Sequence, residues 1–248
     1  MTDRVRNILV WSVVCEEGSV TPSQGIPMSP AANNPALTVP ATIVTAARPG
    51  ELSPLEAAIM DACNTLHEAR AQGDTGKVDA LRSTLFDLLA RYDATDGEHH
   101  PAPAWARPNQ RALVHSALGE VREAIRLEVA ALRYADTPRR KEISLGNLAE
   151  RCIRIGEHLK AVDYFLKAWE IAPDSVPVMV TGAQALFFAG MPDEADHIFE
   201  ALETRPELLA PDGELGAYLQ YESRLISMSV VLPALGRLMR HWHQVRAR

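Results

Sequence analysis

The stretch IRIGEHLKAVDYFLKAWEIAPD, Ile153 to Asp174, decides the fold, because its glycine, alanines and aromatics return at the same intervals in ALFFAGMPDEADHIFEALETRPE, Ala185 to Glu207. Gly156 and Gly190, Ala161 and Ala195, and Phe165 and Phe199 each stand 34 residues apart, and Ala149 and Ala183 keep that offset upstream. Two apolar-periodic segments joined at a glycine and repeated at a fixed distance predict stacked antiparallel helical hairpins. Alanine at a helix crossing lets two backbones approach, the glycine ends the first helix in the turn, and the aromatic fills the space towards the next hairpin. Pro173 then ends the second helix, since it can neither donate to it nor fit inside it.

A third copy lies upstream in NQRALVHSALGEVREAIRLEVAALRYADTP, Asn109 to Pro138, where Ala112, Gly119, Ala124 and Ala131 take the equivalent places. It departs in two ways: Glu128 stands where the later copies have Phe, and Ala124 to Ala161 is 37 residues, so extra loop falls around Asp136 to Lys141. In the last copy Leu202 replaces the alanine equivalent to Ala168, and Pro206 arrives one residue early.

A period of 34 built from two helices with these small residues resembles the tetratricopeptide repeat family. The resemblance covers Trp105 to Leu209 well and Ser53 to the C-terminus loosely. It implies an all-α chain of stacked antiparallel hairpins forming a right-handed superhelix. A plain helical bundle is the alternative; agreement at several equally spaced positions favours the stack.

Outward from the repeats, the chain divides into five segments. Residues 1–52 read as a disordered arm rich in proline and alanine, with Pro22, Pro27, Pro30, Pro35, Pro40 and Pro49 denying any long helix. Residues 53–93 read as a helical hairpin and a candidate degenerate repeat. It opens with Ser53 as N-cap, Pro54 at the first helical position and Glu56 closing a capping box. Residues 94–108 read as a proline-rich connection, 109–210 as two to three repeats, and 211–248 as C-terminal capping helices covering the last apolar face.

The 248-residue chain is 47% hydrophobic and carries a net charge of −7, a soluble composition that argues against general nucleic-acid binding. Three scattered cysteines, Cys15, Cys63 and Cys152, make neither a disulfide framework nor a zinc site and suit a reducing compartment. Arg4 and Arg6 precede an apolar run, Ile8 to Cys15, that faintly imitates an export signal. The run is far short of the roughly 20 residues that cross a bilayer, and Glu16 and Glu17 stand where a cleavage site belongs. The expected location is cytoplasmic, the leader being an edge strand or lying ahead of a true start at Met28.

No phosphate loop, nucleophile elbow or zinc helix occurs in the sequence. His99 and His100 lie among prolines, and His241 and His243, two apart on a helix, point in different directions. The expectation is a non-enzymatic chain without cofactor or metal. The family resemblance instead implies a groove lined by the first helix of each hairpin. It carries over to Asn109, Gln110, Leu113 and Ser116 in the first copy, to Asn147, Glu150, Ile153 and Arg154 in the second, and to Thr181, Gln184, Phe187 and Phe188 in the third. Amides, a hydroxyl and aromatics suit an extended peptide or a partner helix, so the expected role is a protein-interaction scaffold, adaptor or chaperone.

The lysine positions of the family's carboxylate-clamping members hold Asn109 and Pro177, so that specialisation is not indicated. The competing reading rests on RLMRHWHQVRAR, Arg237 to Arg248, whose Arg237, Arg240, Arg246 and Arg248 could meet a membrane surface or nucleic acid. The same arginines also suit the negative end of a capping helix. A homo-oligomer is compatible with the sequence, although no seam marks one.

Overall fold

Among the described residues four left-handed glycines punctuate the chain: Gly73, Gly119, Gly156 and Gly190 have φ of 70°, 82°, 78° and 84°. At each the backbone makes the same pair of closing bonds. Around Gly156, for example, Gly156 N donates to Ile153 O at 3.1 Å and Glu157 N to Cys152 O at 2.9 Å. A residue with a Cβ resists this conformation, so glycine sets where each first helix stops. Gly73 shows that the 53–93 hairpin turns by the same device as the repeats downstream.

The computed structural model describes residues 53–209 and 214–246, all within one compact unit; the arm expected over 1–52 lies outside the described residues. Helices α1 (Pro54–Ala71) and α2 (Thr75–Ala94) form the first hairpin, and a single turn, α3 (Asp96–His99), follows. The next hairpins are α4 (Pro103–Ala117) with α5 (Val121–Leu132), α6 (Pro138–Arg154) with α7 (His158–Ile171), and α8 (Val176–Phe188) with α9 (Pro192–Glu203). After a short 3-10 turn at Pro206–Leu209 come α10 (Glu214–Tyr221), α11 (Ser223–Met228) and α12 (Pro233–Arg246). No strand occurs among the described residues. Each helix packs on its hairpin partner, and the first helices pack on one another in order, α1 on α4, α4 on α6, α6 on α8, and α8 on α10 and α11. The fold is all-α and repeat-like.

The packing follows the alanine spacing. Ala112, Ala124, Ala131, Ala149, Ala161, Ala168, Ala183 and Ala195 are all completely buried. The Phe165 ring lies so close to Gly182 on the next first helix that a Cβ there would stand 2.1 Å from it. In α1 the capping box forms as expected, with Glu56 N donating to Ser53 Oγ at 3.2 Å and Ser53 N to Glu56 Oε2 at 2.9 Å.

One element differs from expectation. The proline-rich connection over 94–108 is shorter than expected, because α4 begins at Pro103 and contains Pro108. Pro103 occupies the first turn, where its missing N–H costs nothing, and Trp105 and Ala106 are buried enough to hold the helix. Pro108 forfeits a bond to the carbonyl of Ala104, an exposed residue. The C-terminal cap is a pair of short helices and one long one. The chain breaks at buried Glu222, whose carboxylate accepts from Arg224 N at 3.2 Å and from Arg224 Nη2 at 3.1 Å.

Candidate functional site

Residues of the successive first helices, joined by three near α10 and α11, converge on a cleft of about 820 Å³, counting the part open to solvent. All the first helices contribute. From α1 come Met60, Cys63, Asn64 and His67; from α4, Leu113, Ser116 and Ala117. Helix α6 supplies the centre with Gly146, Asn147, Glu150, Arg151 and Arg154. Pro177, Val178, Thr181 and Gln184 of α8 follow, and the far end is Tyr218, Glu222 and Arg224.

Seven of the twelve groove residues expected from sequence, Leu113, Ser116, Asn147, Glu150, Arg154, Thr181 and Gln184, thus line one cleft. Asn109, Gln110, Ile153, Phe187 and Phe188 do not. Asn109 Nδ2 donates to Glu128 Oε1 at 2.9 Å, and Gln110 Nε2 donates to Glu56 Oε1 at 3.3 Å, so α1 and α5 occupy the N-terminal half of α4. Phe188 stacks on His158 with ring centres 5.6 Å apart. The contribution of α1 escaped the sequence because its hairpin lacks the 34-residue spacing; the last hairpin escaped for the same reason.

Glu128, the departure from the aromatic pattern, is completely buried and receives Arg151 Nη1 at 2.6 Å and Asn147 Nδ2 at 3.4 Å. A carboxylate in place of the ring therefore anchors the cleft floor from beneath. Near α11, Arg224 pairs with Glu222 at 3.0 Å and lies 3.5 Å from Glu150. Burial disfavours its charge, but the two carboxylates outweigh that and raise its pKa above the ordinary value.

The end formed by α1 and α4 is different in charge. Arg154 donates from Nη1 to Ser116 Oγ at 2.7 Å and from Nη2 to Ser116 O at 3.3 Å, with Glu150 no nearer than 4.0 Å. Arg70 donates to the carbonyl of Ala117. Both guanidiniums thus meet the carbonyl end of α4, the negative end of its dipole. Burial, then Arg154 and Arg70, push His67 down to about 4, so it is neutral near pH 7. Burial pushes the Cys63 thiol up to about 12, which keeps it protonated and a poor nucleophile. Among the described residues no group of His, Cys, Asp and Glu is placed to hold a metal ion, and no helix is long and apolar enough to cross a membrane.

The basic C-terminal segment lies on α12. Arg237 forms a two-pronged ion pair with Glu203, its Nε and Nη2 both 2.8 Å from carboxylate oxygens, and Arg246 lies over the Trp242 ring at 5.7 Å. Arg240 is exposed, and Arg248 lies outside the described residues. Leu235, Leu238, Met239 and Trp242 are buried, and α12 packs on α9.

Comparison of the chain with protein-family models and with curated proteins finds no match.

Proposed function

We propose that the chain is a non-enzymatic, tetratricopeptide-repeat-like interaction scaffold of the cytoplasm, an adaptor or chaperone that holds a segment of another protein in this cleft. The observation that carries this reading is the convergence of amide, hydroxyl and guanidinium groups from successive first helices on one recess. Such a row offers hydrogen bonds to a chain laid across it and apolar contacts between them. Against the basic-segment alternative stands the ion pair of Arg237 with Glu203, which leaves that face less cationic than its sequence suggests.

The test fills the cleft. Thr181→Trp combined with Asn64→Trp places two indoles in it, one from α8 and one from α1. Crosslinked partners from native lysate should be lost in this variant while its helical circular dichroism and melting curve are kept. Capture that persists in the plugged variant but disappears with Arg240→Glu would transfer the function to α12.

A further inference from the structure

Gly146 sits in the middle of α6, where glycine is the poorest choice short of proline. The protein gives no reason for it. Its φ is not in the left-handed region, and a Cβ built on it would meet nothing within 4 Å. Every other interior helical glycine with a close neighbour is explained by one, as Gly182 is by Phe165 and Gly216 by Trp242. What Gly146 does is leave bare backbone at the centre of the cleft.

One helix further on, Gln184 lines the same cleft while only 3% exposed, and its Oε1 accepts no hydrogen bond. Five residues after Gly146, Arg151 also lines the cleft, is equally buried, and its Nε donates to nothing. A buried acceptor lacking a donor and a buried donor lacking an acceptor are each costly. A peptide unit supplies both complements. An α-helical occupant could not, because its own backbone groups are already paired and its width keeps them away from the floor. Charge fixes the orientation. At the end of α6, Arg154 and nearby Arg70 bond neutral oxygens, with no carboxylate within hydrogen-bonding distance in the cleft. Gly146 and Arg154 are eight residues apart on α6, about 12 Å of helix, which three to four extended residues span.

We infer that the cleft takes an extended segment of a partner protein that seats a small residue on Gly146 and presents an acidic side chain, three or four residues away, to Arg154 and Arg70. This rests on the groove reading above and makes it specific.

A library of random peptides displayed on phage, selected on the full chain, tests both. Enriched peptides should share Gly, Ala or Ser three or four positions from Asp or Glu. A synthetic peptide from that pool should lose at least about tenfold in affinity against Gly146→Ala, more against Gly146→Leu. Gly146→Ala should nonetheless melt about 2 °C higher than the parent, because alanine favours the helix and has room. Arg154→Gln should weaken the acidic peptide but not its Gln-substituted counterpart. Peptides that bind in the cleft equally well with Ala at 146, or a Gly146→Ala protein that melts lower, would overturn this inference and leave the groove reading standing. Absence of any peptide competed by Thr181→Trp would sink both.

Discussion

Glu128 and Arg151 form a pair whose side chains are 0% and 4% exposed, joined at 2.6 Å. Two charges removed from water are tolerable together and costly apart, so truncating one partner exposes the weakness. Glu128→Ala should cost about 3–5 kcal/mol in urea unfolding followed by circular dichroism. Replacing both residues with leucine should recover most of that loss. A single-variant cost below about 1 kcal/mol would mean that Arg151 escapes to solvent. The sequence flagged Glu128 as an irregular repeat position; its three partners come from two other helices and were not legible there. Gly146 was equally quiet, since a mid-helix glycine gains meaning only once its surroundings are known to be open cleft.

At the scale of elements, the glycine turns and crossing alanines were legible, because one residue type answers one local demand. Pro108 was not, because tertiary burial of Trp105 and Ala106 outweighs the proline's local penalty and extends α4 backwards. The break at Glu222 depends on Arg224 folding back onto it, which no periodicity records. Helix α12 is a cap in substance: Trp242 is 2% exposed, and its ring lies where a Cβ on Gly216 of α10 would meet it at 2.5 Å. Trp242→Ala should therefore destabilise by about 3–5 kcal/mol through lost transfer energy and the cavity left behind. The measurement is the melting temperature of the full chain. An unchanged value would show that α12 contributes nothing to covering α9.

Across the whole molecule, the cleft was half legible. The inner positions of α6 and α8 followed from the repeat, but closure by α1 at one end and by α10 and α11 at the other depends on rotation accumulated over several hairpins. That closure gives His67 its surroundings. The unfolded chain protonates this imidazole near pH 6.5, the folded chain only near 4. Between those values the unfolded state holds more protons, so stability should fall as pH drops through the window and be indifferent to this group above it. After solvent screening the loss should be about 1–2 kcal/mol. Urea midpoints taken above and below the window should differ less in His67→Gln than in the parent; equal slopes would assign the acid sensitivity elsewhere.

The buried Glu128–Arg151 bond also bears on how such a chain can evolve. Stacked hairpins are ordinarily exchangeable, since each meets only its neighbours through similar apolar faces. Here the face that α5 presents is charged, and only a hairpin with an arginine at the place of Arg151 can follow it. Duplicating, deleting or shuffling a unit across that joint would strand a buried charge, whereas the joint between Phe165 and Gly182 demands only matching shape. The order of the hairpins is thus keyed at one junction, and extra repeats would be accepted most readily downstream of it.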